Sequence, residues 1–181
     1  YDEAYGHSAL GLPDGLGDEV ISINSFSKHF NMTGWRLGWM LVPAELRRAV
    51  DCLTGNFTIC PPVLPQHAAV AAFTPEAIAE ADGHLHHYAT NRETLIAGLR
   101  HLGVTRLAPA DGAFYVYADV SDFTTDSLRF CETLLADTGL AIAPGIDFDT
   151  VRGNSFVRLS FAGPAADIDS ALQRLGPWLS R

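Results

Sequence analysis

The sequence is short of the features that mark membrane-spanning and nucleic-acid-binding proteins. It has no run of roughly eighteen apolar residues, the length that a helix needs to cross a bilayer. Lysine and arginine together number 12 against 21 acidic residues, and the resulting net charge of −9 disfavours binding to nucleic-acid phosphates or to an anionic membrane surface. No internal repeat or low-complexity run is present. We therefore expect neither a nucleic-acid nor a membrane partner.

Cysteines and clustered metal ligands are also sparse. The three cysteines, Cys52, Cys60 and Cys131, are widely spaced and form no Cys-x-x-Cys pair, which favours reduced thiols in a cytoplasm over a disulfide framework or a zinc site. The run HLHH at residues 84–87 offers at most a partial ligand pair on one helix face, and no carboxylate or cysteine completes it at ligand spacing. We expect no metal site and a cytoplasmic location.

The sequence does have a dense group of chemically useful side chains around Lys28, in the run SFSKHFNMTGWRLG at residues 25–38. A primary amine condenses with an aldehyde, and neighbouring hydroxyls and a guanidinium bind a phosphate dianion, so this combination indicates pyridoxal phosphate. The apolar run at residues 20–23 predicts that Lys28 emerges where a buried strand gives way to a loop, at the floor of a pocket. Gly34 and Gly38 indicate close approach of the backbone there.

This run resembles the cofactor-lysine segment of the class I and II aminotransferases of fold type I. The resemblance implies that Lys28 is the catalytic lysine that holds pyridoxal phosphate. It also implies that Arg36 and Ser25 bind the cofactor phosphate, with Ser27 as a second candidate hydroxyl. Four cofactor-binding residues are therefore predicted within one short segment.

Two further matches lie at opposite ends of the chain. By the same resemblance, the quartet DEAY at residues 2–5 supplies Asp2, which keeps the cofactor's pyridine nitrogen protonated, and Tyr5, which hydrogen-bonds its phenolic oxygen. The run NSFVRLSF at residues 154–161 alternates like a half-buried strand and contains one arginine, which is expensive to bury unless it meets an anion. The resemblance implies that Arg158 binds the α-carboxylate of the amino-acid substrate in a bidentate pair.

The expected fold class is α/β, with the tail of the large α/β cofactor domain of fold type I followed by a C-terminal α+β small domain. Residues 1–60 are expected to be the C-terminal remnant of the large domain, residues 61–102 a helical connector and residues 103–181 the small domain. The sequence has no initiator methionine, no Asn-Pro-x-x-Pro-Thr-Gly segment and no upstream phosphate-binding loop. We therefore expect it to be the C-terminal portion of a longer enzyme and not to turn over alone.

Local patterns predict the individual elements. Between residues 66 and 102 we expect a short helix and then a long one, which starts at a Thr74 cap with Pro75 as its first residue. Other helices are predicted at residues 43–53, 126–138 and 165–179, an extended link at residues 56–65, and strands at residues 20–23, 104–107, 113–120, 140–143 and 155–161.

The resemblance implies an aminotransferase of amino-acid metabolism that moves an amino group between an amino acid and a 2-keto acid by a ping-pong mechanism. The same residues occur in fold-type-I lyases and decarboxylases, and aminotransferase-like domains also serve as effector-binding modules of transcription regulators. Both alternatives stay open at this point. A homodimer is also implied, and the proline-bounded stretch at residues 54–65 is a candidate for its seam.

Overall fold

A β-hairpin and two helices open the part of the chain that the computed structural model describes, residues 19–181. Strand β1 (Ser22–Ser25) pairs antiparallel with strand β2 (Gly38–Leu41). Helices α1 (Arg47–Phe57) and α2 (Val63–Ala71) follow. The extended link that the prolines predict is therefore confined to a few residues between two helices.

The strand predicted from the apolar run at residues 20–23 forms slightly later, and within residues 19–181 it is not covered on both faces, so its burial stays a prediction. Ile23 is 75 % exposed, and burial alternates along β1. The apolar composition indicates a buried strand, but no layer of the described residues covers this face. The helix predicted from residue 43 also begins later, at Arg47, because Pro43 accepts a turn hydrogen bond from the Leu46 N–H.

Helix α3 (Pro75–His101) is the long helix predicted from the sequence. Its start is the expected one: the Thr74 hydroxyl accepts a hydrogen bond from the Ala77 N–H at 3.3 Å, and proline occupies the first helical position, where no N–H is needed. The described chain divides into two compact units within this helix, the first ending at Leu85 and the second comprising His86–Arg181. The finer division into three segments stays a prediction.

The second unit contains a three-stranded antiparallel sheet in the order β3, β5, β4. Its strands are β3 (Tyr115–Asp119), β4 (Ala143–Pro144) and β5 (Phe156–Ser160). Because side chains alternate along a strand, the sheet has a buried face and an opposite face. The buried face consists of Val116, Ala118, Val157 and Leu159. Arg158, in the middle of β5, therefore belongs to the opposite face.

Helices α4 (Ser127–Thr138) and α5 (Ala165–Leu179) complete the second unit at the predicted positions. The Asp126 carboxylate caps α4 by accepting a hydrogen bond from the Arg129 N–H at 3.0 Å, and Gly139 ends the helix at a φ of 72°. The core joins the buried sheet face to α3, α4 and α5 through residues that include Leu99, Phe130, Leu134, Phe161, Ile168 and Leu175.

Two strands predicted in the second unit are largely absent. Residues 104–107 contribute only an isolated bridge between Leu107 and Ala118, and the strand predicted at residues 140–143 is reduced to β4. Apolar patterning reports burial, whereas a strand also needs a neighbour with which to exchange backbone hydrogen bonds. None of the helices within residues 19–181 has both the length and the apolar composition of a membrane-spanning helix.

Candidate functional site

Lys28 lies in the loop that joins β1 to β2, and we call the two strands with this loop the Lys28 hairpin. Ser25 at the end of β1 pairs with Gly38 at the start of β2. A hydrogen bond of 3.1 Å from the Phe26 N–H to the Leu37 carbonyl closes the base of the loop. Lys28 thus follows a strand directly, as the sequence predicts, and its side chain is exposed among the described residues.

Two buried apolar residues anchor the loop on either side of Lys28. Phe26 and Met32 are both buried and pack in one cluster with Ala69 of α2. The Met32 N–H donates to the Phe26 carbonyl at 3.1 Å, and the Phe26 ring meets the Trp39 ring edge-on with centroids 4.8 Å apart. The segment that carries Lys28 is therefore held at both of its ends.

The predicted phosphate-binding residues share one hydrogen-bond network. The Ser25 hydroxyl accepts from the Ser27 N–H at 3.0 Å, and the Thr33 hydroxyl donates to the Ser27 carbonyl at 2.6 Å. Arg36 Nη1 donates to the Thr33 carbonyl at 2.8 Å. A hydroxyl that accepts one bond still has its own proton, and a guanidinium has five N–H donors, so both groups retain donors for a further anion. The hairpin thus carries Lys28 in the same short segment as the Ser25 and Ser27 hydroxyls and the Arg36 guanidinium.

The backbone of the loop is unusual at three positions. Asn31 and Arg36 both adopt the left-handed conformation at a φ of 54°, which is uncommon for non-glycine residues and is concentrated at functional sites. A Cβ on Gly38 would lie 2.5 Å from the Asn24 carbonyl oxygen. The predicted close approach is therefore confirmed at Gly38. At Gly34 an added Cβ would meet no atom of the described residues within 4 Å, so the close approach there stays a prediction.

The remaining predicted cofactor residues, Asp2 and Tyr5, lie outside the described residues 19–181, and their roles stay predictions. Lys28 belongs to the first compact unit and Arg158 to the second. The structure thus groups the predicted phosphate-binding residues with the lysine, and it describes the predicted carboxylate-binding residue within the other unit.

Arg158 occupies the central strand of its sheet, where it is flanked by Tyr117 on β3 and by Ala143 on β4. Its side chain is half-buried. The prediction of a half-buried strand with a single arginine in it is therefore confirmed. Within residues 19–181, the Arg158 side chain forms no salt bridge with a carboxylate.

Two aromatic rings cover the guanidinium of Arg158, and sequence reasoning missed both. Its Cζ atom lies 4.2 Å from the centroid of the Tyr115 ring and 4.2 Å from that of the Phe148 ring. Strand alternation was a usable signal for Tyr115, which shares a sheet face with Arg158 once β3 and β5 are paired. No local signal marks Phe148, because it comes from the loop that follows β4.

Tyr117 extends this aromatic face. Its ring stacks on the Phe156 ring with centroids 4.9 Å apart and an interplanar angle of 13°. Burial raises the pKa of the Tyr117 hydroxyl, and the negative charge of Asp149 adds to the effect. Tyr117 is therefore a neutral phenol at neutral pH, and no carboxylate within residues 19–181 forms a salt bridge with the neighbouring Arg158.

The histidine-rich run does not form a ligand cluster. Within the described part of the chain, no group of three or more histidine, cysteine, aspartate or glutamate side chains is placed to hold a metal ion. His87 instead contacts the Gly163 carbonyl through Nε2 at 3.1 Å and lies 3.3 Å from the Asn91 amide nitrogen. These contacts give His87 a structural role at the end of β5.

A cleft of about 540 Å³ lies beside α3 in the second unit. Its lining includes Arg92, Arg100 and Asp111, and Arg92 Nη1 donates to the Ala110 carbonyl at 3.1 Å. None of the predicted site residues lines this cleft. Its position therefore adds nothing to the chemistry of the Lys28 hairpin or of Arg158.

Comparison with known proteins gives consistent matches. The family described as aminotransferase class I and II matches residues 1–175. A valine–pyruvate aminotransferase from Mycobacterium tuberculosis is 74 % identical over 88 % of this chain and 41 % of its own length. An aspartate/prephenate aminotransferase from Thermus thermophilus is 33 % identical over 91 % of this chain and 42 % of its own length.

The fold also matches a solved structure. The crystal structure of an aminotransferase from Mycobacterium tuberculosis superposes with a TM-score of 0.87 at 74 % identity, covering 88 % of this chain and 41 % of that one. The chain thus spans less than half the length of the relatives that it matches.

Proposed function

The chain belongs to the class I and II aminotransferase family, and on this premise we propose that it supplies the cofactor-lysine segment and the C-terminal region of a pyridoxal phosphate-dependent aminotransferase. The enzyme moves an amino group between an amino acid and a 2-keto acid by a ping-pong mechanism. The observation that carries this proposal is the Lys28 hairpin, in which the lysine shares one braced loop with Ser25, Ser27 and Arg36.

The donor set of the hairpin fits pyridoxal phosphate. An amine matches the cofactor's aldehyde, and two hydroxyls with a guanidinium match its phosphate. Lys28 would hold the aldehyde carbon, and Ser25, Ser27 and Arg36 would hold the phosphate. Asp2 and Tyr5 are proposed for the pyridine nitrogen and the phenolic oxygen. When bound, pyridoxal phosphate supplies an electron sink for the electron pair that remains when the substrate loses its α-proton.

Arg158 and Lys28 carry out the other steps of the proposed reaction. Arg158 binds the α-carboxylate of the amino acid and then that of the keto acid, since a planar guanidinium matches a carboxylate in a bidentate pair. Lys28 Nζ takes the proton from the Cα of the amino-acid substrate and, in the second half-reaction, returns a proton to the Cα of the keto acid, so one amine serves as base and acid. The name of the relative from Mycobacterium tuberculosis supports valine as amino donor and pyruvate as acceptor.

A homodimer and a cytoplasmic location are also part of the proposal. The stretch from α1 to α2 supports the dimer, because Phe57 is 82 % and Ile59 is 80 % exposed. Ile59 adopts a φ of 64°, a genuine outlier for a β-branched residue. Exposed apolar clusters of this kind mark interaction surfaces. If the proposal is correct, the complete polypeptide sediments as a dimer, and the double variant Phe57→Ser, Ile59→Ser shifts it toward monomer.

Attachment of the cofactor to Lys28 can be tested without competition from another lysine of this chain. Lys28 is the only lysine among the 181 residues, and the other eleven of the 12 basic residues are arginines. The protein is incubated with pyridoxal phosphate, reduced with borohydride and digested, and the modified peptide is identified by mass spectrometry. We expect one cofactor per chain on the peptide that contains Lys28. Lys28→Arg keeps the positive charge and the N-terminal amine but should lose this label. Labelling of the complete polypeptide at other amines, with Lys28 unmodified, would contradict the proposal.

Product analysis separates the alternative reactions. With valine and pyruvate, transamination forms alanine and the 2-keto acid of valine in equal amounts. Decarboxylation would release carbon dioxide from valine. Elimination requires a leaving group on the β-carbon, which valine lacks, so it is tested with cysteine, from which it would release hydrogen sulfide, pyruvate and ammonia. Formation of carbon dioxide from valine without alanine would favour a decarboxylase, and formation of hydrogen sulfide from cysteine would favour a lyase.

A further inference from the structure

The two aromatic rings on Arg158 are unusual partners for an arginine that is half-buried. Both ring centroids lie 4.2 Å from its Cζ atom, which is well within the range of a cation–π contact. A π face attracts a cation but carries no net charge, so it does not neutralise the guanidinium as a carboxylate would. Within residues 19–181 no aspartate or glutamate forms a salt bridge with Arg158. Its charge therefore remains available to an external anion.

The two rings are held by different parts of the second unit. Tyr115 is the first residue of β3, it pairs with Ser160 of β5, and its ring lies 4.3 Å from that of Phe114. Phe148 follows the single helical turn Gly145–Asp147, and its N–H donates to the Gly145 carbonyl at 2.9 Å. Two independent elements thus converge on one guanidinium, which is more than the chance neighbourhood of a surface arginine.

The loop that carries Phe148 is itself braced. Gly145 and Gly153 approach so closely that a Cβ on either residue would meet the backbone of the other. The Asp149 carboxylate accepts hydrogen bonds from the N–H groups of Val151 at 2.8 Å and Arg152 at 2.9 Å, and these bonds lower the pKa of Asp149. Phe148 is therefore presented to Arg158 by a loop with fixed geometry.

We propose that Tyr115 and Phe148 are positioning residues that hold the Arg158 guanidinium ready to receive the α-carboxylate of the substrate. The inference rests on the proposed function and extends it to residues that do not touch the carboxylate themselves. Arginine is a flexible side chain, and one that is held in place before the substrate arrives loses less conformational freedom on binding. The rings also direct the carboxylate to the N–H edge of the planar guanidinium, where it forms a bidentate pair.

The predicted effect is on substrate binding rather than on turnover. The carboxylate is held equally in the bound substrate and in the transition state, and loss of such uniform binding raises KM while kcat is unchanged. Replacing either ring by leucine removes one cation–π contact. We expect KM for both valine and pyruvate to rise about threefold to tenfold in each leucine variant.

The experiment uses the complete polypeptide loaded with cofactor, and it compares Tyr115→Leu and Phe148→Leu with the ring-preserving variants Tyr115→Phe and Phe148→Tyr. The matched control is Phe156→Leu, which removes an aromatic ring from the same sheet face, where it stacks on Tyr117. KM and kcat are measured for valine and pyruvate. A second readout is the dissociation constant of isovalerate, which has the carboxylate and side chain of valine but no amino group and so cannot react.

In the expected result, both leucine variants raise KM and weaken isovalerate binding, whereas the ring-preserving variants and Phe156→Leu stay within about twofold of the wild type. Unchanged KM and isovalerate binding in the leucine variants, with activity still lost in Arg158→Gln, would overturn the inference and leave the proposed function standing. A fall in kcat alone would also overturn it. A wild type without transamination would refute the proposed function and this inference with it. If Tyr115→Leu does not fold, Phe148→Leu decides, since Phe148 is already 50 % exposed.

Discussion

Gly145 and Gly153 pack backbone against backbone, so that a Cβ on Gly145 would lie 2.6 Å from the Gly153 carbonyl oxygen. The Gly153 N–H also donates to the Asp149 carbonyl at 2.9 Å. Together these contacts close the loop that presents Phe148 to Arg158. There is no space for a side chain at this crossing, because the neighbouring atoms belong to the backbone and not to a flexible side chain that could move aside.

Replacing Gly153 by alanine is therefore expected to destabilise the second unit by about 1–3 kcal/mol, the usual range for overpacking at a close contact. Urea unfolding monitored by circular dichroism measures this change. The matched control is Gly163→Ala, because a Cβ on Gly163 would meet nothing closer than an Asp167 carboxylate oxygen at 3.9 Å. Equal stability of the two variants would show that the loop opens freely and does not hold Phe148 in place.

The Lys28 hairpin allows a similar comparison in the first unit. A Cβ on Gly38 would lie 2.5 Å from the Asn24 carbonyl oxygen, whereas one on Gly34 would meet no atom of the described residues within 4 Å. Gly38→Ala is expected to cost about 1–3 kcal/mol and to loosen the hairpin, while Gly34→Ala stays close to the wild type. Amide hydrogen exchange of the hairpin measures the loosening. If exchange in the Gly38 variant is unchanged, the two strands do not depend on this close approach.

Asn91 joins α3 to the chain that follows β5. It is 1 % exposed, and its amide nitrogen donates to the carbonyls of Phe161 at 2.9 Å and Gly163 at 2.8 Å. Asn91→Ala removes this donor from the buried Phe161 carbonyl and leaves the Gly163 carbonyl with the His87 contact, and it is expected to cost about 2 kcal/mol. Thr90→Ala is the control, because that exposed hydroxyl bonds only within its own helix. Thermal unfolding of both variants tests the difference, and similar melting temperatures would contradict it.

We predict that ionisation of the Cys131 thiol lowers the stability of the folded protein at alkaline pH. Burial raises the pKa of its thiol to about 11 from the ordinary value of 9.0, and the charge of Asp147 adds to the effect. Between these pH values the folded state keeps a thiol proton that the unfolded state has lost. The contribution of Cys131 to the free energy of unfolding is therefore fully present below about pH 9 and falls as the pH rises toward 11.

Urea unfolding at pH 8, 9, 10 and 11 measures this dependence. Cys131→Ala should lose less stability than the wild type over that range, because other groups that titrate there are common to both proteins. Cys52 and Cys60 are exposed and Cys131 is buried, so a thiol reagent should label the first two rapidly in the folded chain. Equally fast labelling of Cys131 would show that its burial is only transient and would remove the basis for the alkaline effect.

Several elements could be predicted from the sequence because their signals are local. The predicted bounds of α5 coincide with the observed Ala165–Leu179, and α3 begins at the predicted Pro75. Asp126 was predicted as the start of α4 and is its capping residue. In each case the deciding contact lies within one helical turn of the residue that gives the signal, so no knowledge of the rest of the fold is needed.

The sequence could not predict relationships that depend on residues far apart in the chain. Strand β2 was not predicted, and among residues 19–181 its four residues pair only with β1. The run at residues 104–107 looked like a strand but has only the bridge to Ala118 as a sheet contact. In both cases backbone pairing decides the outcome, and pairing depends on which segments meet in space.

The sequence by itself determined the family, the candidate lysine and the candidate carboxylate-binding arginine, because each is carried by a contiguous run of residues. Only the tertiary structure decided how these residues are supported. The buried flanks of Lys28 depend on packing against α2, and the rings on Arg158 come from β3 and from a loop that closes through a crossing of two glycines. Such support arises from packing between distant segments, and a residue's chemical type does not record which neighbours the folded chain will bring to it.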